Sequence, residues 1–102
     1  MTTTLLKDLR QLTIDAVASP ATSRAYAWAW DEYIRWSDSV GSPPFTRATV
    51  MKFRTHLESR GLSPSSLNLA LSGIRKGAIE GEENRILPAE IAAAINLSLI
   101  HI

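Results

Sequence analysis

The sequence predicts an all-α domain, a small bundle of four to five helices. Apolar residues recur at three-to-four spacing in several segments, and capping residues and glycines separate these segments. A half-buried strand would need an alternating β-branched run, and none occurs. The chain has 102 residues, of which 45% are hydrophobic. This is enough for one core, so a single domain is expected.

The first two helices are predicted on either side of a serine-proline pair. An apolar stripe predicts helix one over roughly residues 3–17, and it consists of Leu5, Leu6, Leu9 and Leu12. Ser19 supplies an N-cap hydroxyl for helix two, and Pro20 occupies its first position, where the missing N–H costs nothing. Helix two is expected to run to about Ser39, because Gly41 and two prolines follow.

Three further helices are predicted from similar signals. Thr46 can cap a third helix, Gly61 fits the left-handed residue at its end, and its apolar stripe is Val50, Phe53 and Leu57. Ser63 and Pro64 repeat the earlier opening and begin a fourth helix, which should reach about residue 83. Pro88 is expected to start a shorter fifth helix through residues 89–94.

The last six residues are expected to be foreign to the domain. Residues 97–102 match the translation of a transposon-end adapter used in sequencing libraries. We therefore expect residues 1–96 to form the native domain and residues 97–102 to be a non-native tail on a truncated reading frame. A natural short helix tail is the alternative.

Composition excludes several classes of function. There is no cysteine, and His56 and His101 are far apart, so neither a disulfide framework nor a Cys/His metal site is expected. No glycine-rich phosphate loop or cysteine nucleophile is present, so we expect no catalytic residues, cofactor or small-molecule substrate in this chain. The acidic cluster at residues 80–83 is typical of a solvated face. Without a signal peptide or a membrane-spanning run, a soluble cytoplasmic chain is expected.

The polar face of helix four is the first candidate for binding. One face of the predicted helix is apolar, and it comprises Leu67, Ala70, Leu71, Ile74 and Ala78. The other is polar and comprises Ser65, Asn68, Ser72, Arg75 and Lys76. No carboxylate occurs between Glu58 and Glu80, although the net charge of the chain is only +1. Short polar side chains let a helix approach a DNA groove and cations neutralise phosphate, but an ordinary solvated face fits equally well.

Helix two offers a second set of candidates. Its predicted core side comprises Tyr26, Trp30, Tyr33, Ile34 and Ser37, and its other side comprises Arg24, Trp28, Asp31 and Arg35. Thr22, Ser23 and Arg24 lie in the first turn, where free backbone N–H groups and a cation are expected together. The indole of Trp28 is either covered by helix one or packs against sugar-phosphate or a partner.

A glycine stripe at positions 73, 77 and 81 has two interpretations. Each glycine costs a helix about 1 kcal/mol relative to alanine. The stripe either permits close helix–helix contact or marks a weak, frayed helix end.

Two segments of the chain, within residues 19–36 and 61–76, together resemble a known family. The segment Ser-Pro-Ala-Thr-Ser-Arg-Ala-Tyr at residues 19–26 is followed by Trp30, Tyr33 and Trp36. The segment Gly-Leu-Ser-Pro-Ser-Ser-Leu-Asn at residues 61–68 then leads to Leu-Ser-Gly-Ile-Arg-Lys at residues 71–76. This order resembles the core-binding, SAM-like N-terminal domain of tyrosine recombinases and phage integrases, over roughly residues 3–95.

The resemblance implies a fold and a function. The domain would form one half of a C-shaped clamp on double-stranded DNA, with helices two and four facing the major groove and recombinase protomers as further partners. The implied DNA-facing positions are Thr22, Arg24, Ala25, Ser65, Ser66, Asn68, Ser72, Arg75 and Lys76. The family's catalytic residues belong to a second domain, and the present chain has no His-x-x-Arg motif. Tyr26 and Tyr33 are therefore not expected to act as nucleophiles.

Two other functions compete with DNA binding. A small helical protein-interaction module would use Trp28 and the glycine stripe to dock a partner helix. A small enzyme is a third interpretation, and the missing catalytic groups argue against it.

Overall fold

Residues 2–99 are described by the computed structural model, and they form five helices and no strand. The helices are α1 (Thr2–Asp15), α2 (Pro20–Ser39), α3 (Arg47–Ser59), α4 (Pro64–Glu83) and α5 (Ala89–Leu99). This confirms the predicted all-α fold class. None of these helices combines the length and apolarity needed to cross a membrane.

Local capping explains where α2, α3 and α4 begin. Ser19, Thr46 and Ser63 have extended backbone conformations, and each hydroxyl accepts a hydrogen bond from the backbone N–H three residues later, at 3.3, 3.4 and 3.2 Å. Such a bond satisfies one of the N–H groups that a helix start leaves unpaired. Gly61 follows α3 with a φ of +72°, which is the left-handed conformation predicted for it. The predicted helix starts are confirmed.

Aromatic side chains of α2 form the centre of the core. Trp30 and Tyr33 expose 0% and 1% of their surface, and Phe53 of α3 exposes 0%. The rings of Tyr33 and Phe53 lie edge to face with centroids 4.8 Å apart, and Phe45 meets Tyr33 in the same way at 5.5 Å. The core side of α2 is therefore the side that the sequence predicted.

The glycine stripe of α4 lies inside the bundle. All three glycines are buried, and a Cβ atom on Gly73 would lie 3.1 Å from the Tyr26 ring. A Cβ atom on Gly77 would overlap the Trp30 ring, and one on Gly81 would lie 2.5 Å from Leu9 Cδ2 of α1. The stripe permits close contact with α1 and α2, and α4 continues helically to Glu83. The interpretation as a frayed end is wrong.

Two predicted helix ends need correction. Helix α1 ends at Asp15 rather than residue 17, and Ala16 is exposed. Helix α5 runs to Leu99 rather than ending at residue 94, because Leu99 extends the apolar spacing of Ile95 and is 5% exposed. Ser98 also accepts a hydrogen bond from the Arg47 guanidinium. The foreign origin of residues 97–102 stays a prediction, and residues 100–102 lie outside the described part.

Candidate nucleic-acid interface

The solvent-facing side of α4 is the principal candidate surface. We define the outer face of α4 as Ser65, Asn68, Leu69, Ser72, Arg75 and Lys76. The first four are exposed and the two cations are partly exposed, whereas the opposite face, including Ala70, Leu71 and Ile74, is fully buried. The division of α4 into two faces is confirmed. The sequence reasoning missed Leu69, whose helical position between Ser65 and Ser72 would have placed it here.

Arg75 and Lys76 line a shallow notch where α2 approaches the outer face of α4. The notch has a volume of about 290 Å³ and is lined by Tyr26, Ser72, Arg75, Lys76 and Ile79. Tyr26 reaches it because its ring packs over Gly73. The Nε atom of Arg75 is buried without a hydrogen-bond partner, and no carboxylate within residues 2–99 pairs with this guanidinium. An uncompensated cation beside a hydroxyl can bind an anion such as a phosphate group.

Lys76 differs from Arg75 because it already has a partner. Its Nζ lies 3.4 Å from a carboxylate oxygen of Glu80, one turn further along α4. Glu82 and Glu83 follow at the end of the helix. The cationic part of the outer face therefore ends at Lys76, in the fourth turn of α4.

The first turn of α2 is less open than the sequence indicated. Arg24 is exposed, but Thr22, Ser23 and Ala25 are partly buried. The N–H of Thr22 donates to Ser19 Oγ at 3.3 Å, and that of Ser23 donates to the Ser19 carbonyl at 2.9 Å. The expectation of free backbone N–H groups is thus wrong for both residues. Arg24, which forms no ion pair with the described residues, remains the main group offered by this turn.

Ser66 also uses its polar groups in hydrogen bonds within the chain, to the N-cap residue Ser63. Its backbone N–H and its hydroxyl both contact Ser63 Oγ, at 3.2 and 3.0 Å, and its side chain is only partly exposed. Ser65, its exposed neighbour, has no hydrogen bond from its side chain to any residue in the range 2–99. Of this pair, Ser65 is therefore the one presented to solvent.

Trp28 lies on a different surface from the outer face of α4. Tyr26 and Trp30 both contact α4, and Trp28 lies midway between them in sequence, which puts it on the opposite side of α2. Helix α1 runs along one edge, where Arg10 pairs with Asp31, but it leaves 38% of Trp28 exposed. The indole is thus only partly covered, and it is not grouped with Asn68 and Arg75.

A charged cluster between α2 and α3 was not predicted from the sequence. Glu32 is 6% exposed and forms ion pairs with Arg35 and Arg60 beside a notch of about 380 Å³ that also involves Trp36 and His56. The hydrogen bond from Arg60, together with the charges of both arginines, holds the pKa of Glu32 below its ordinary value although burial opposes this. The pair of Glu32 and Arg35 could have been predicted from its i,i+3 spacing on one helix. The pairing with Arg60 could not, because Arg60 is 28 positions away in the sequence.

The two tyrosines of α2 lie in different environments. Tyr33 is 1% exposed, its hydroxyl has no partner among the described residues, and burial raises the pKa of that hydroxyl far above its ordinary value. Tyr26 is partly buried against Gly73. Within residues 2–99, no group of three or more histidine and acidic side chains is arranged to hold a metal ion.

Comparison with known proteins leaves the family open. No protein-family model matches the chain, and neither the curated proteins nor the solved structures provide a match. The resemblance to recombinase domains therefore rests on the residues quoted from the sequence.

Proposed function

We propose that the chain is the DNA-binding, core-binding domain of a site-specific tyrosine recombinase or integrase. It would grip one side of double-stranded DNA during integration and recombination, with other recombinase protomers as partners of the full-length protein. The chain itself would bind DNA without cutting it and without a cofactor. The observation that carries this proposal is the outer face of α4, which combines exposed small polar groups with Arg75 and Lys76 and lacks carboxylates from residue 59 to residue 79.

The surface predicts which groups would contact which part of the duplex. Arg75 in its notch and Arg24 on α2 are phosphate contacts, because guanidinium groups bind phosphate oxygens. Ser65, Asn68 and Ser72 are groove-facing, since short side chains allow the helix to approach base edges. With a net charge of +1, binding should be weak, with non-specific dissociation constants of about 10⁻⁴ to 10⁻⁶ M at physiological salt.

One observation favours the alternative of a protein-interaction module. Trp28 exposes 38% of its surface, and exposed tryptophan is common at protein interfaces. The glycine stripe does not support that function. The space beside its three glycines is filled by side chains of the same chain, namely Tyr26, Trp30 and Leu9.

Salt-dependent binding to a labelled random-sequence duplex, followed by fluorescence anisotropy, tests the proposal. Arg75→Gln should weaken binding to all sequences and reduce the salt slope by about 0.9, the value for one phosphate contact. Lys76→Gln should reduce the slope less, because Glu80 already offsets that charge. Lys52→Gln on α3 is the matched control, since it removes one exposed cation elsewhere and should change the slope least.

Asn68→Ala separates base recognition from phosphate binding. It should cost about 1–3 kcal/mol on a selected site and little on random DNA. If a helical sample of the parent chain fails to bind duplex DNA at low salt, or if Arg75→Gln binds like the parent, the DNA-binding proposal is wrong. Binding of partner proteins that is lost in Trp28→Ala and insensitive to salt would support the interaction module instead.

The genomic locus provides an independent test of the family. Sequencing past codon 96 without the adapter should show a continuing frame that encodes the arginine, lysine, His-x-x-Arg and tyrosine residues of a recombinase catalytic domain. A locus that reproduces the codons for residues 97–102 and then stops would contradict both the adapter origin and the recombinase assignment.

A further inference from the structure

Leu69 is an apolar side chain in the middle of an otherwise polar surface. It exposes 42% of its surface, whereas the neighbouring Leu67 packs against the core and Leu71 is fully buried. Its neighbours on the outer face of α4 are Ser65, Asn68 and Ser72. Leu69 is not among the apolar residues that pack against the core, so core packing does not account for a leucine at this position.

We propose that Leu69 is a specificity-determining residue that contacts the 5-methyl group of thymine in the major groove. This inference rests on the proposed DNA-binding function. Thymine is distinguished in the major groove by this methyl group, and apolar side chains recognise it by contact. A leucine on a helix face that already carries small polar groups is suited to that contact, because the methyl gains an apolar neighbour and the flanking groups remain hydrogen-bonded to water or bases.

Asn68 extends the inference to a base pair. A carboxamide can form hydrogen bonds with both N6 and N7 of adenine. Asn68 could therefore recognise an adenine while its neighbour Leu69 contacts the methyl group of a nearby thymine. Adjacent helical residues point about 100° apart, which allows the two side chains to reach different bases of the same groove. The pair therefore predicts a preference for A·T base pairs beneath the first two turns of α4.

The surroundings of Leu69 fit duplex DNA better than an apolar partner. A protein or membrane surface would need a contiguous apolar patch, and Leu69 is flanked by serine and asparagine. The exposed Trp28 cannot extend such a patch, because it lies on the side of α2 that faces away from α4. Arg75 and Lys76, two turns further on, supply charge complementary to phosphate.

The test replaces thymine by deoxyuridine, which lacks only the methyl group. A random-sequence duplex library is selected on the parent chain, and the enriched duplex is resynthesised with deoxyuridine at one thymine at a time. Dissociation constants are measured at constant salt. At one or two positions the parent should lose about fourfold in affinity, the value expected for one buried methyl group.

Two leucine variants identify the side chain that senses the methyl group. Leu69→Ala should bind thymine and deoxyuridine duplexes equally, with parent-like circular dichroism because Leu69 lies outside the core. Leu97→Ala is the matched control, since Leu97 of α5 is 66% exposed, and it should retain the parent's discrimination.

The outcomes distinguish this inference from the function on which it rests. If the parent enriches a duplex but tolerates deoxyuridine at every position, or if Leu69→Ala keeps the roughly fourfold penalty, the role of Leu69 is wrong and DNA binding stands. If no duplex is enriched and binding shows no salt dependence, the proposed function fails and the role of Leu69 fails with it. The thymine and deoxyuridine comparison uses the parent chain, so it does not depend on how any variant folds.

Discussion

The two faces of α4 place opposite demands on their residues. On the inner face, Gly77 lies so close to Trp30 and Thr13 that no side-chain atom can be added without displacement. On the outer face, Ser72 and Asn68 are exposed, and neither makes a side-chain hydrogen bond to another residue of the described chain. Residue size is fixed on the inner face by packing. On the outer face packing sets no such limit, so the residues there can be suited to binding a ligand.

This difference explains why a helix keeps three glycines. Each costs about 1 kcal/mol in helix propensity relative to alanine. The cost is offset because the rings of Tyr26 and Trp30 occupy the space that a methyl group would need, and Trp30 Nε1 donates a hydrogen bond to the Gly73 carbonyl at 3.1 Å. Close approach of α2 and α4 thus buries the largest side chain of the core.

The largest expected effect comes from adding a methyl group to the inner face. Gly77→Ala should destabilise the fold by about 2–3 kcal/mol, because overpacking against the Trp30 ring outweighs the gain in helix propensity. Urea denaturation measures the change. Ser72→Ala on the outer face is the control and should stay within about 0.5 kcal/mol of the parent. A stabilised Gly77→Ala variant would contradict the conclusion that packing limits residue size on the inner face.

A milder effect is expected at the end of the same stripe. Gly81→Ala places its methyl 2.5 Å from the far end of Leu9 and 3.2 Å from Leu87 Cβ. The nearest atom is a terminal methyl of Leu9, which can shift more easily than the rigid Trp30 ring, so the loss should be about 1 kcal/mol by the same measurement. Equal losses at positions 77 and 81 would show that neighbour flexibility does not set the cost.

Acid should lower the stability contributed by the contact between α2 and α3, where the buried carboxylate of Glu32 pairs with Arg35 and Arg60. The pKa of Glu32 is lowered from 4.5, mainly by the hydrogen bond from Arg60, so its contribution to stability is fully present above pH 4.5. The contribution is lost as pH falls through the lowered folded pKa. Thermal unfolding between pH 6 and about pH 3 should show a smaller acid loss in Glu32→Gln than in the parent.

Glu83→Gln provides the control for that acid effect. Glu83 is exposed at the end of α4 and forms no ion pair with the described residues, so its variant should follow the parent's pH profile. If Glu32→Gln and the parent lose stability in parallel on acidification, the arginine cluster does not contribute as described.

The smallest expected effect on stability lies on the outer face. Glu80→Gln removes the partner of Lys76, and ion pairs at this i,i+4 spacing on a helix contribute only about 0.3–0.5 kcal/mol. DNA affinity should nevertheless rise about twofold or more at low salt, because the lysine is released and a negative charge is removed. Anisotropy titration checks this, and unchanged affinity would show that DNA does not reach this turn of α4.

Part of the candidate site could be read from the sequence because it depends on one helix alone. The outer face of α4 follows from helical periodicity, which assigned Asn68, Ser72 and Arg75 to one side. The surroundings of each residue could not be predicted from helical periodicity. Periodicity treated Arg75 and Lys76 alike, whereas the structure leaves Arg75 unpaired within residues 2–99 and gives Lys76 to Glu80. The position of Trp28 relative to the outer face of α4 did not follow either, because it depends on how α2 packs against α4.

The sequence by itself determined the helix class, the helix starts and the buried face of each main helix. These properties are local, since Ser19, Thr46 and Ser63 bond to backbone three residues away. Only the tertiary structure decided the role of the glycine stripe and the pairing of Glu32 with Arg60. Each depends on contacts between distant segments, such as the 43-position separation between Trp30 and Gly73. The periodicity of one helix defines its faces but not which helix it meets or at what distance.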